Sequence, residues 1–321
     1  MQNLSSNGSD SSLSSDGCLL PEAHIFALIP LNIVSSIIGT VGNTLVIATV
    51  YTNASMQTIS NFWLASMAVA DLMVSALGLP LLMVFWGLQL NDECNQPVSE
   101  TFRLVGNISC SASVLHLCFI SIDRCILIVR PLDCKSIRTM KRLKFALIIG
   151  WTMPVVYGIL RITVSKKATS YFTVLAAALC CLIIISCNTL IIIKVWNRDT
   201  ETLKTSVRSR ESAARLIERR VTVTVAIVVV VFTICWFPLM YLRAAYAKSN
   251  VGVAYNWART LALSNSAMNP WIYCFRMGDF RAAYKKLMRC IMGPCKRDTS
   301  DQYEVNRVQS SDWATTSHDP N

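Results

Sequence analysis

The residues able to do chemistry in this chain of 321 amino acids are few, and most lie where charge is costly. Its three histidines, His24, His116 and His318, are scattered, and nothing has the ligand spacing of a metal cluster. No nucleophile stands beside a base and an orienting group, so the sequence does not read as an enzyme. Charge inside apolar sequence is the stronger signal. Asp71 sits in the middle of NFWLASMAVADLMVSALGLP, and Asp123-Arg124 ends a run that is uncharged from residue 104 to 122. Ionisable groups at such depth mark a functional site by default. Polar or unusual residues recur at matching depth in other runs: Gly42-Asn43, Ser113, Cys235-Trp236-Phe237-Pro238, Asn265-Ser266 and Asn269-Pro270-Trp271-Ile272-Tyr273. One further set, Arg103, Arg161, Arg243 and Arg259, falls toward the opposite ends of four runs. Such arginines converge on a carboxylate or phosphate through bidentate bonds, snorkel to lipid headgroups, or pair with Glu100.

The elements that position these groups follow from composition. The chain is 53% hydrophobic and 15% charged, with a mean hydropathy of +0.44, against roughly 25% charged residues in soluble domains. Uncharged stretches cover 26–51, 104–122, 145–160, 171–193 and 221–242. Two more, 62–87 and 249–275, are interrupted only by Asp71 and by Arg259. Seven membrane-length runs imply seven helices, because in lipid the backbone must satisfy its own hydrogen bonds. The first run is too long for a signal peptide, nothing basic precedes it, and it is expected to remain in the protein. The loops after runs 1, 3 and 5 and the C-terminal tail hold most of the 30 Lys and Arg. That bias puts the C-terminus in the cytoplasm and the N-terminus outside, in a multi-pass plasma-membrane protein. The net charge of +11 is this asymmetry and not a nucleic-acid surface.

Residues 1–24 are polar and low in complexity, an expected disordered outer segment, with glycosylation sequons at Asn3 and Asn7. Asn53 and Asn107 also sit in sequons, but on the inside and within a span, so they should stay unmodified. Most of the 13 cysteines lie in spans; Cys18 and Cys94 are outside, either bridged or free. Residues 277–291 read as an amphipathic helix at the inner membrane surface, with Cys290 and Cys295 as palmitoylation candidates and 292–321 as a disordered cytoplasmic tail.

Taken in order, these motifs resemble those of the rhodopsin-like (class A) G-protein-coupled receptors. The resemblance covers about residues 26 to 295 and implies an all-α bundle of seven transmembrane helices over 25–276, followed by the short amphipathic eighth helix. It also implies roles. Arg124 would be held in the resting state by Asp123 and by Glu218, which stands twenty residues ahead of Pro238. Trp236, Pro238, Asn269, Pro270 and Tyr273 would complete the activation switch, Pro238 by removing a helix hydrogen bond. Asp71, Ser113, Asn265 and Asn269 match the family's interior sodium site, an oxygen set suited to a small hard cation; a water-filled network around a protonated Asp71 is the alternative. No Lys occurs in 249–275, so retinal is not expected. Implied partners are a heterotrimeric G protein, membrane lipid, and a receptor kinase and arrestin acting on the Ser/Thr-bearing tail.

Several departures keep the ligand open. Ser99 stands where the family's usual disulfide needs a cysteine, the second outer loop has none, and the fifth helix lacks both its usual proline and its usual tyrosine, with Asn188 the only comparable polar candidate there. The features are mixed, resembling amine receptors in the third helix, adenosine receptors at the end of the seventh, and melanocortin or lipid receptors in the absences. The aspartate that an amine needs, eighteen residues before Arg124, is Gly106. The expected ligand pocket comprises Glu100, Arg103, Gly106, Asn107, Cys110, Trp236, Leu239, Arg243, Arg259 and Leu263. Three readings follow: a small anionic extracellular ligand, an amine bound by Glu100, or a receptor-like protein signalling without a diffusible ligand. A transporter would favour internal repeats, and none is visible.

Overall fold

A computed structural model describes residues 20–91, 93, 95–130, 133–163, 166–204, 211–245 and 252–292. The side chains of Glu218 and Cys290, and the whole of Asn3, Asn7, Cys18, Cys94 and Cys295, lie outside the described residues.

Seven long helices carry the chain back and forth: α1 (Glu22–Thr52), α2 (Ile59–Gln89), α3 (Gln96–Val129), α4 (Met140–Thr163), α5 (Lys166–Lys204), α6 (Glu211–Ala245) and α7 (Gly252–Arg276). The first six contain segments long and apolar enough to cross a bilayer. α7 falls short of that composition because Arg259 and a run of Asn and Ser lie within it. Helix starts follow capping chemistry: Thr58 Oγ1 accepts the Asn61 N–H at 3.3 Å ahead of α2, and Asn95 Oδ1 accepts the Val98 N–H at 3.0 Å ahead of α3. A wide π turn at Val74–Gly78 interrupts α2 just before Pro80, whose ring cannot continue a regular ladder.

The packing is inside-out relative to a soluble protein. Asn32, Asn43, Asp71, Ser75, Ser109, His116 and Ser121 are buried, while Phe145, Leu175, Leu182, Ile185 and Phe237 are exposed on the outer faces, as lipid solvent demands. Glycines set the closest approaches. A Cβ on Gly39 would lie 2.2 Å from Ser75 Oγ, and one on Gly42 would lie 2.9 Å from Pro270 Cβ. These bare backbones let α1 lie directly on α2 and α7. Polar rungs then join α1 to α7: Asn32 Nδ2 donates to Thr260 Oγ1 at 3.2 Å, Ser35 and Ser264 share a hydrogen bond at 3.0 Å, and Asn43 Nδ2 donates to the Ser266 carbonyl at 3.0 Å.

His116 braces α3 against α2 and α4. Its Nδ1–H donates to the Ala112 carbonyl at 2.7 Å and its Nε2 accepts from Ser66 Oγ at 2.8 Å, while Trp151 Nε1 donates to the same Ser66 oxygen at 3.0 Å. α8 (Gly278–Met292) begins after Met277, whose N–H donates to the Tyr273 carbonyl at 2.8 Å. The chain divides into a unit ending at Arg281 and a second from Ala282 onward, whose described part alternates Ala283, Tyr284, Leu287 and Met288 with Lys285, Lys286 and Arg289.

Candidate functional site

The functional side chains form three belts along the bundle. The first belt centres on Asp123. Arg138, which follows a one-turn helix at Cys134–Ile137, gives Nε to Asp123 Oδ1 at 2.7 Å and Nη2 to Oδ2 at 3.0 Å. Ser60 of α2 donates to Oδ2 at 3.2 Å and itself accepts from Arg138 Nη2 at 2.6 Å. The expected bond between Asp123 and Arg124 is therefore absent, and the acid belongs to Arg138. The reason is helical geometry: adjacent residues point about 100° apart and do not face one another, whereas a guanidinium arriving from the next segment meets both carboxylate oxygens. Arg124 is buried, and its Nε has no hydrogen-bond partner among the described residues. Tyr273 of α7 lies within its electrostatic reach.

The middle belt surrounds Asp71, which is fully buried. Ser113 Oγ of α3 donates to Oδ1 at 2.8 Å and Asn269 Nδ2 of α7 donates to Oδ2 at 2.8 Å, with Ser266 also in side-chain reach. The carbonyl oxygens Oδ1 of Asn265 and of Asn269 are buried without a partner among the described residues. One carboxylate, one hydroxyl and two orphaned amide oxygens are a donor set that fits a small hard cation. Trp236 stacks on Phe232 at 5.6 Å and packs against the cluster of Leu239, Ala258 and Ala262, two residues before Pro238 within α6.

The outer belt gathers arginines around one phenol. Arg243 of α6 gives Nε at 3.2 Å and Nη2 at 2.8 Å to Tyr255 Oη of α7. Its guanidinium carbon lies 5.7 Å from that ring. Arg259, one turn along α7, is boxed by the rings of Trp86, Phe102 and Tyr255 at 5.6, 5.1 and 5.8 Å. It donates Nη2 to Asn256, and its Nε is buried without a partner. Arg161 of α4 gives Nη1 to Tyr157 Oη at 3.4 Å and to Thr173 Oγ1 at 3.1 Å, and its charge reaches Tyr255. Arg103 of α3 is exposed, with its charge reaching Arg259. Among the described residues the one ion pair is Arg138–Asp123, so no described carboxylate is paired with these four arginines.

Of the other pocket residues, Cys110 packs with Leu263 on the cluster holding Trp86 and Phe102, and Leu239 lies beside Trp236. Asn107 is half-buried and Glu100 is exposed. A Cβ on Gly106 would meet only Phe102 Cε2 at 3.9 Å. An acid therefore has room where an amine's counter-ion would stand, and the chain has none there. Sequence reasoning missed Arg138, Trp86, Phe102 and Tyr255. The spacing of Tyr255 and Arg259, four residues apart on one helix face, was the available signal.

The pattern of the family described as "7 transmembrane receptor (rhodopsin family)" matches residues 42–273. The chain is 28% identical over 312 residues to the histamine H2 receptor of Canis lupus familiaris, covering 89% of this chain and 84% of that receptor. It is 28% identical over 291 residues to the allatostatin-A receptor of Bombyx mori, covering 79% and 77%. It spans 59% of the length of another relative, the alpha-1D adrenergic receptor of Sus scrofa. The fold is similar to the crystal structure of squid rhodopsin, with a TM-score of 0.73, 20% identity and 94% of each chain covered.

Proposed function

We propose the following reading for a chain that belongs to the rhodopsin family of seven-transmembrane receptors: it carries the binding of a small extracellular anion to a cytoplasmic heterotrimeric G protein. Receptor signalling is the family's activity, and no enzymatic step belongs to it. The relatives' names speak of an amine and a peptide, and neither passes to this chain by resemblance alone. The observation that carries the anion is the outer belt: half-buried Arg161, Arg243 and Arg259 from three helices, with exposed Arg103 from a fourth, and no described carboxylate paired with any of them. Buried or half-buried guanidinium groups without an anion are costly, so the belt is stabilised by a ligand that supplies negative charge. Arginine pairs with carboxylate or phosphate bidentately.

Below that ligand, Trp236 and Pro238 form the movable part of α6. An α6 swing frees Arg124 for the G protein, and Glu218 is the acid expected to restrain it, a bistable contact biased from the far side of the membrane. A sodium ion held by Asp71, Ser113, Asn265 and Asn269 adds a hard positive charge that favours the closed bundle. The same reading places the receptor in the plasma membrane with its N-terminus outside, glycosylated at Asn3 and Asn7. It places palmitate on Cys290 and Cys295, with receptor kinase and arrestin acting on the tail. A ligand-independent receptor is the second reading, favoured by the buried Nε of Arg124, which has no hydrogen-bond partner among the described residues.

A library of anionic and cationic metabolites, read by nucleotide exchange on purified G proteins, separates the readings. Anionic agonists that lose affinity in Arg259→Ala and keep it in Glu100→Gln support the anion. Agonists that are all amines, abolished by Glu100→Gln and indifferent to Arg259→Ala, would sink it.

A further inference from the structure

We infer that the anion taken by the outer belt is a phosphate monoester held as a dianion, and that Tyr255 is the residue that selects it; this rests on the anion reading above. The first argument is charge. Arg161, Arg243 and Arg259 all act on Tyr255, and Arg103 acts on Arg259. A monocarboxylate offsets one of these charges and leaves the rest repelling one another across a low-dielectric cleft. A phosphate monoester carries close to two negative charges above its second ionisation near pH 6.

The second argument is shape. One guanidinium fork covers both oxygens of a planar carboxylate with two parallel bonds. Here the guanidinium groups come from three helices, α4, α6 and α7, and all lie within electrostatic reach of Tyr255. A phosphoryl group presents three oxygens in a tetrahedral fan and takes donors from several directions. A diester has only two such oxygens and one charge.

The third argument is what the side chains have left to give. Arg161 is oriented by Tyr157 and Thr173, Arg243 by Tyr255, and Arg259 by Asn256 and three ring faces. All these partners are neutral, so each arginine is aimed without a counter-ion among the described residues. Arg259 Nε is a buried donor with no acceptor. Tyr255 Oη accepts both Arg243 bonds. Its own hydrogen meets no acceptor among the described residues, and it becomes a further donor to the same anion, sharpened by the cation behind it. Cys110, Leu239, Leu263 and Trp236 lie on the inward side and suit an apolar ester group. The shared chemistry is the monoester; it arrives on a lipid chain or on a soluble molecule.

The full-length receptor in phosphatidylcholine nanodiscs at pH 8 tests this by thermal stabilisation. The probes are dodecyl phosphate, phenyl phosphate, didodecyl phosphate, dodecanoate and dodecylamine. Dodecyl phosphate, phenyl phosphate or both should bind about tenfold or more tightly than dodecanoate, the worth of one further charge-assisted hydrogen bond. Response to dodecyl phosphate alone assigns a lipid source, and response to phenyl phosphate a soluble one. Tyr255→Phe should weaken the monoester about tenfold and leave dodecanoate nearly unchanged. Arg161→Gln should do the same, and it decides the matter if Tyr255→Phe melts early without ligand. Dodecanoate or the diester binding as tightly as the monoester overturns the phosphate and leaves the anion reading standing. Dodecylamine as the sole stabiliser overturns both.

Discussion

Replacing Arg138 by alanine should lower basal signalling, and only while Asp123 is present. Arg138 gives Asp123 two short bonds, at 2.7 and 3.0 Å, and the two side chains are only 17% and 8% exposed. An exposed ion pair is worth about 0–1 kcal/mol, but this one is largely covered, and hydrogen bonds to charged groups contribute about 1.5–3 kcal/mol. In Arg138→Ala the carboxylate keeps only the Ser60 hydroxyl at 3.2 Å. Arg124, next to Asp123 in sequence, is buried, and its Nε has no partner among the described residues. Even a poorly aligned Asp123–Arg124 contact recovers part of the lost energy and draws Arg124 away from the G protein. If about 1.4 kcal/mol is transferred in this way, the signalling-competent population falls about tenfold. The assay is basal nucleotide exchange by purified G protein on the wild type, Arg138→Ala, Asp123→Asn and the double variant at matched surface density. The fall should vanish in the Asp123→Asn background. An equal fall in both backgrounds refutes the reasoning, because Arg138 would then act through something other than the acid.

Two further outcomes are expected. Sodium should raise the melting temperature of the wild type, by about 1.4 kcal/mol of stability at a concentration ten times its dissociation constant, and Asp71→Asn should abolish that response; an equal response in both excludes the site. Gly39→Ala should lower the melting temperature, because the new Cβ lies 2.2 Å from Ser75 Oγ, 2.9 Å from Ser75 Cβ and 3.2 Å from Ala267 Cβ. Rotating the hydroxyl away breaks its 2.8 Å bond to the Asp71 carbonyl and does not relieve the Cβ clash, for a cost of about 2–4 kcal/mol. Alanine at Gly87, where nothing lies within 4 Å, is the control.

The spans and the Asp71 belt were legible in the sequence because each depends on a local contrast, one polar residue in an apolar run. Asp71 announces itself, and Ser113 and Asn269 stand at the depth that lets them reach it. Arg138 was not legible. It is one basic residue among many in the segment between α3 and α4, and only the folded chain shows which of them turns back to Asp123. Tyr255, Trp86 and Phe102 were overlooked for a related reason: aromatic residues near span ends ordinarily belong to the interfacial belt. Here they face inward and make a box for Arg259. Glu100 and Arg103, close together in sequence, read as natural partners, yet both are exposed and no ion pair joins them.

The rungs between α1 and α7 bear on how the protein is made. Asn32 and Thr260 are 228 residues apart, and Asn43 and Ser266 are 223 apart. At about 5–20 residues per second of synthesis, the first helix sits in the bilayer for roughly 10–45 seconds before the last emerges. Each asparagine holds a stopgap through that interval. Asn32 Nδ2 also donates to the Leu28 carbonyl at 2.7 Å, and Asn43 Nδ2 to the Gly39 carbonyl at 2.9 Å, both within α1. The amides can therefore enter lipid with a donor already satisfied and take up their second partners when the final segment arrives. Ribosome-bound chains halted before residue 252 should accordingly leave α1 inserted but open to other helices, and completion of α7 is the step that closes the ring.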